Sequence, residues 1–266
     1  MNSGQISVLM AVFNCQDTVR QSIASILAQT YSNWQMIICD DCSTDRTSQI
    51  IQEYKEEYPE KFVIIRNEKN LRLAASLNHC LKYAHGEYCA RMDGDDYVAP
   101  DRFEKQVSYL KSHPQIHLVG TLMQAFGERG LGRIVPYKEF PDKYELRFGP
   151  CFAHATIMTY TEVYMKLGGY TVSKRTVRTQ DYDLWFRFFA ADYCGATLQE
   201  ALYFVREDED AILRRKAKLY LWAVVTRWKG FRMLHYPLRY YPRVLSPLVR
   251  MVGSMLRKAK AKLIKK

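Results

Sequence analysis

From Ile6 to Val119 the chain alternates short, uniformly apolar runs with stretches of helical period, and this rhythm restricts its fold more than any other feature. The apolar runs are Ile6–Phe13, Trp34–Cys39, Phe62–Ile65, Glu87–Met92 and Ile116–Val119. Between them, Thr18–Gln29 carries Val19, Ile23, Ile26 and Leu27 on one helical face. Thr44–Tyr58 does the same with Ile50, Ile51 and Tyr54, and Leu71–His85 with Leu73, Leu77, Leu81 and Ala84. Arg102–Ser112 reads as a fourth helix. Strands that are apolar on both faces need cover on both, and intervening helices supply it. With right-handed crossovers the expected fold is a single doubly wound, mostly parallel α/β sheet with helices on both faces.

Ligands of such sheets bind beyond the C-terminal ends of the strands. That places Asn14 after the first run, Asp40 and Asp41 at the second, and Asp93 and Asp95 at the fourth, all along one edge. The fourth run ends in Arg91-Met92-Asp93-Gly94-Asp95-Asp96-Tyr97, with three carboxylates in four residues. Such crowding is costly unless a cation offsets it, and Mg²⁺ or Mn²⁺ prefers hard oxygen ligands shared with phosphates. An Asp/Gly cluster after a strand is also an ordinary solvated turn. The company of Asn14, Asp40 and Asp41 favours the metal and phosphate-ester reading.

Six segments resemble the motifs of family 2 glycosyltransferases, in that family's order. They are Ser7–Asn14, Asp40–Asp45, Leu73–Asn78 with Ala90–Asp96, His154–Met158, Gly168–Tyr170 and Gln180–Trp185. The third is close to the bacterial surface-polysaccharide branch, and the whole covers Ile6 to Arg206. The resemblance implies the GT-A fold, a nucleotide-sugar donor, a divalent metal and inversion at the transferred sugar. It makes Asp95 the metal ligand and puts Asp93 beside it, nearer the donor. It assigns Ala11, Phe13, Asn14, Asp40, Asp41, Arg72 and Gly94 to the donor side, with one of Asp40 and Asp41 reading the base. Both aspartates could equally serve the start of the following helix. Asp96 reads as a structural residue.

One-step inversion needs a base for the acceptor hydroxyl, and the resemblance makes Asp181 that base. Its plainer reading is a helix cap. Gln180 stands where many members have Glu, which removes a charge and lowers the Asp181 pKa relative to theirs. His154, Gln180 and Trp185 fall on the acceptor side, although a lone His is as readily structural. Ala11 replaces a common Pro. Arg72 replaces a common Gly, and it either reaches a diphosphate or lies in solvent.

Past Val119, Gln124–Pro150 reads as a loop-rich insertion, Thr161–Leu167 as a short helix and Asp181–Ala191 as a helix. The net charge of +11 is unevenly placed. Residues 211–266 hold 16 of the 39 basic side chains and no acid, leaving 23 basic against all 28 acidic residues before them. Leu245, Leu248, Val249, Val252, Met255, Leu256, Ala259 and Leu263 recur at helical spacing among Arg250, Arg257, Lys258, Lys260 and Lys262. The expected division is a catalytic domain over 1–210 and a basic amphipathic tail over 211–266, lying on an anionic membrane or packing on the body. Nucleic acid is not an expected partner, since no recognition module is present. No apolar run reaches the ~18 residues of a membrane span, and the pattern of the first residues leads to no expectation of a signal peptide. The seven scattered cysteines read as free thiols, with Cys39 a core thiol and Cys42 a turn residue.

The expected activity is therefore metal-dependent transfer of a hexosyl or N-acetylhexosaminyl group to a lipid-linked saccharide, from a UDP-sugar in first place. The expected location is the cytoplasmic face of the bacterial plasma membrane. Transfer to polyprenyl phosphate or lipopolysaccharide core is the enzymatic alternative. A non-catalytic membrane- or nucleic-acid-binding protein on the same fold is the other.

Overall fold

The computed structural model describes residues 1–207 and 217–264, with side chains through 255. It divides into two compact units. The first comprises residues 1–141, 151–170 and 193–206, and the second residues 142–150, 171–192 and 207–266.

The first unit is one sheet with helices on both faces. Its strands are β1 (Asn2–Val12), β2 (Trp34–Asp40), β3 (Phe62–Arg66), β4 (Gly86–Asp93), β5 (Tyr97–Val98), β6 (Leu118–Gly127), β7 (Gly130–Val135), β8 (Met158–Tyr160) and β9 (Gly195–Arg206). Its helices are α1 (Val19–Leu27), α2 (Thr47–Glu57), α3 (Leu73–Leu81), α4 (Arg102–Ser112) and α5 (Thr161–Lys166). The strand order is β3-β2-β1-β4-β8-β6-β9-β5, with β7 paired to β6. The first four strands in that order are parallel to one another, as the rhythm predicts. The other half is mixed: β6 and β9 are parallel, whereas β8, β7 and β5 pair antiparallel.

Alternate residues of β1 explain the double cover. Ile6, Val8, Met10 and Val12 enter a core with Ile23 and Ile26 of α1, Ile51 of α2, and Phe103 and Val107 of α4. Leu9 and Ser7, between them, are equally buried, and α3 packs over β1 and β2. The stretch 124–150 departs from expectation. It contributes the end of β6 and all of β7, a hairpin, before its irregular part begins. Both faces of β7 are nearly all exposed, so it lacks the alternation that marks a half-buried strand.

The second unit contains α6 (Gln180–Ala190), α7 (Ala217–Met233) and α8 (Ser246–Ile264). Gly230 of α7 meets α6 so closely that an added Cβ would lie 2.2 Å from the Phe186 ring. Phe231 and Tyr236 pack in the same apolar group, with Phe231 edge-on to Phe186. Arg227 binds the carbonyl of Arg243 and the hydroxyl of Ser246, fixing the start of α8. Ser254 and Pro247 are buried, whereas Leu245, Val249, Val252 and Met255 are exposed. The side chains expected to continue that stripe, Leu256, Ala259, Leu263 and the lysines between them, lie outside the described residues. Among the described residues no helix is long and apolar enough to cross a membrane.

Candidate functional site

The loops after β1, β2 and β3 are tied together through Asn14 and Asp41, and the turn after β4 is anchored separately to α1 and β9. After β1, Asn14 adopts φ 52°, a left-handed conformation that Asn tolerates better than most residues. Its amide donates to Ser43 Oγ at 3.0 Å, and its Oδ1 accepts from the Thr44 amide at 2.9 Å. The neighbouring Cys15 amide donates to Thr47 Oγ1 at 2.7 Å. The first loop is thus stitched to the second. Phe13 is exposed beside it, and Ala11 is half-buried at the strand end.

The pair Asp40-Asp41 splits into two roles. Asp40 is wholly buried: one oxygen accepts from the Ser43 amide at 2.9 Å, and the other lies 3.6 Å from Arg66 Nε without a hydrogen bond. Asp41 is a hub. Its Oδ1 accepts from Asn67 Nδ2 at 2.7 Å and the Leu71 amide at 2.8 Å, and its Oδ2 from the Arg72 amide at 2.7 Å. Arg72 has φ 72° and ψ 166°, a region used almost only by glycine, which costs about 1–3 kcal/mol elsewhere in proteins. The Asp41 carboxylate holds the backbone there. The strain also explains why Gly would suit position 72, and the Arg72 side chain is exposed.

The acidic turn after β4 separates its three carboxylates. Asp93 ends the strand with about a third of its side chain exposed, and its Oδ1 accepts from Arg91 at 2.5 Å. Gly94 is required by close approach, since a Cβ there would sit 2.8 Å from Val12 Cγ1. Thr18 Oγ1 donates to the Gly94 carbonyl at 2.8 Å, anchoring the turn to α1. Asp95 is exposed. Asp96 is buried and accepts from Tyr203 Oη at 2.9 Å and the Arg206 amide at 2.8 Å. Burial, with the charges of Asp93 and Asp95, pushes its carboxyl up to about 8. Arg206 Nε also donates to the Asp95 carbonyl at 3.0 Å.

This geometry suits a divalent metal at Asp95 and Asp93 and excludes Asp96, whose oxygens are taken by β9. Among the described residues no three His, Cys, Asp or Glu side chains converge as a closed cage. An ion here would take its remaining ligands from water and substrate oxygens, which is how Mg²⁺ and Mn²⁺ are usually held.

His154 donates to or accepts from Tyr170 Oη at 2.8 Å, and Tyr170 reaches Tyr164 Oη at 2.7 Å. Burial and the nearby Arg91 charge push the His154 pKa well down, so the ring is neutral at physiological pH. Asn78 grips the Tyr170 backbone at both its amide and its carbonyl, at 2.7 and 2.8 Å.

The remaining predicted residues lie in the second unit. Asp181 sits in the first turn of α6, half-buried, and its carboxyl is pushed up to about 6 by burial, against the pull of the Tyr182 and Asp181 amides. Gln180 opens the same helix, half-buried. Trp185 is fully buried, edge-on to Phe188. Asp183, two positions on from Asp181, binds Arg175 at 2.6 Å, Arg187 at 3.0 Å and Thr171 Oγ1 at 2.6 Å.

Sequence reasoning passed over Arg91, Tyr203 and Arg206 as site residues. Arg91 had a signal, being a charge inside an apolar strand. Tyr203 and Arg206 had none, because β9 lies more than a hundred residues from the turn it braces.

The Glycosyl transferase family 2 model matches residues 7–168. The chain belongs to this family. It is a glycosyltransferase with a GT-A-like fold. It is 45% identical over 94% of its length, and 90% of the other's, to EpsE of Bacillus subtilis (strain 168), named as a glycosyltransferase. WfaP of Escherichia coli is 28% identical over 70% of each chain. That relative is named as a UDP-Glc:alpha-D-GlcNAc-diphosphoundecaprenol beta-1,3-glucosyltransferase. Among solved structures, residues 1–349 of S. aureus TarS in complex with UDP-GlcNAc superpose with a TM-score of 0.70 at 16% identity. The match covers 94% of this chain and 81% of that one and shows the fold. Members of family 2 generally use a divalent metal.

Proposed function

We propose that this enzyme transfers a sugar from a UDP-sugar to a hydroxyl of a lipid-linked oligosaccharide, with inversion, in bacterial surface-polysaccharide synthesis. The observation that carries the reading is that Asn14, Asp41 and Asp93 stand at the C-terminal ends of the adjacent parallel strands β1, β2 and β4, with Asp95 two residues past the last. Asp41 and its bound amides form the floor for the base, and Arg72 stands beside the diphosphate. Asp93 faces the donor and Asp95 holds Mn²⁺ or Mg²⁺, which supplies charge to stabilise the departing diphosphate. Asp181 takes the acceptor proton, with His154 and Gln180 on the acceptor side. The lipid-linked acceptor is supported by the name of the E. coli relative. The exposed stripe of α8 and the basic residues around it support a reaction at an anionic cytoplasmic leaflet.

The test is a panel of UDP-, GDP- and dTDP-sugars with undecaprenyl-linked acceptors, in Mn²⁺, Mg²⁺ or EDTA. One UDP-sugar is expected to be transferred, only with metal, to give the inverted anomer by NMR. Equal turnover in EDTA would refute the metal role, and a retained anomer would refute Asp181 as base.

A further inference from the structure

Arg91 is the one fully buried charge of β4, and none of its side chain reaches solvent. A guanidinium in the core is costly to desolvate, and an apolar side chain of similar volume would commonly serve stability as well or better. Its contacts show what it does instead. One terminal nitrogen donates to the Leu9 carbonyl at 2.7 Å and the Met92 carbonyl at 3.2 Å, which locks the guanidinium against β1 and β4. The other donates to Asp93 Oδ1 at 2.5 Å. Arg91 is dry and Asp93 is about a third exposed, so the pair runs from the core to the site surface.

Asp93 is held from two further directions. Its amide donates to Tyr203 Oη at 3.1 Å, and its backbone pairs with Ala11 in the parallel ladder. Asp93 Oδ2 makes no hydrogen bond among the described residues, whereas Oδ1 is committed to Arg91. Behind Arg91 a second buried guanidinium, Arg102, donates to the carbonyls of Arg91 and Thr156 at 3.1 and 3.0 Å. Arg102 braces the strand without competing for the carboxylate, as it has no acidic partner among the described residues.

We propose that Arg91 is a positioning residue: it fixes the Asp93 carboxylate in one orientation, with Oδ1 spent on the protein and Oδ2 presented to the metal-bound sugar nucleotide. The inference rests on the reading of Asp93 as a donor-side residue. A carboxylate locked in this way loses no rotamer freedom when ligand arrives, which is the advantage of a preorganised site. A second consequence separates this arrangement from an ordinary acidic turn. Neutralising one of several crowded carboxylates normally relieves repulsion and stabilises a protein. Neutralising Asp93 would strand the buried Arg91 charge and destabilise it.

The experiment is a cycle of Arg91→Met, Asp93→Asn and the double variant, with Arg91→Lys as the comparator. Two readouts are taken: UDP affinity in saturating Mn²⁺ by calorimetry, and the thermal midpoint without nucleotide. Arg91→Met is expected to weaken UDP binding about tenfold or more, the range typical of lost supporting contacts at a metal site. Arg91→Lys is expected to recover part of that loss. The double variant should bind no worse than the poorer single variant, because both act through one carboxylate. Asp93→Asn should lower the thermal midpoint by about 5 °C or more. Folded Arg91→Met that binds UDP like the wild type would overturn the proposal, as would single losses that multiply in the double variant. If Arg91→Met does not fold, Asp93→Asn decides: an unchanged or raised midpoint overturns it. A wild-type chain that binds no UDP with Mn²⁺ would refute the donor reading. Coupled losses in the thermal midpoints would then still show Arg91 locking Asp93, whereas additive losses would overturn the lock as well.

Discussion

The sharpest consequence of the Asp181 environment is a pH profile. Burial raises this carboxyl from 3.8 to about 6, although two backbone amides pull the other way. A general base works only when ionised, so with Asp181 as the proposed base activity is expected to rise with pH through that value. By simple titration about a tenth of Asp181 is ionised at pH 5 and about nine tenths at pH 7, so kcat should fall roughly tenfold between pH 7 and pH 5. The assay is UDP release at saturating donor, acceptor and Mn²⁺, because kcat then reports groups in the complex rather than donor binding. Asp181→Asn should remove transfer by at least a hundredfold, the low end of what a positioned base contributes, and should remove the limb as well. A limb centred near pH 4, or the same limb in Asp181→Asn, would refute the assignment.

The same shift has a stability signature of fixed sign. The folded state favours protonated Asp181, so ionisation destabilises the protein as pH rises from about 4 to about 6, and the penalty is constant above that. Two pKa units correspond to about 3 kcal/mol, and about 1–3 kcal/mol is reasonable for a half-buried group. Asp181→Asn should therefore melt several degrees above the wild type at pH 7.5 and level with it at pH 4. An inactive variant that is more stable is what a strained functional carboxylate predicts, and a helix cap predicts the reverse.

Three further outcomes follow from named contacts. Asp183 is pushed up by burial but held below the usual carboxylate range by Thr171, Arg175 and Arg187. Asp183→Asn should cost about 2–4 kcal/mol by thermal denaturation at pH 7, and the gap should close as pH falls below that range. Gly94→Ala pushes a methyl into Val12 and should cost about 1–3 kcal/mol while weakening UDP binding; wild-type affinity would show that the turn yields freely. Val249→Asp with Val252→Asp should abolish cosedimentation with phosphatidylglycerol vesicles in 0.1 M NaCl, and undiminished binding would move the contact away from α8.

What the sequence disclosed follows from which strands are buried on both faces. β1, β2 and β4 lie side by side with β3 at their edge, so each reads as a mostly apolar run, and the ends of β1, β2 and β4 locate the candidate site residues. The remaining strands give no such signal. β5 and β8 are two and three residues long, β7 is exposed, and β9 carries exposed Gln199 and Glu200 between buried stretches. Register shifts near Leu122 also break the period of the β6–β9 pair. Tyr203 and Arg206 were therefore invisible as braces of the acidic turn, although Asp96 depends on both. A motif fixes which residues meet a ligand, because those are local. What holds them is long-range, and here it separates Asp93, Asp95 and Asp96 into a carboxylate locked by Arg91, an exposed one and a buried one. The three are alike in sequence, and only their partners, drawn from β4 and β9, make them different.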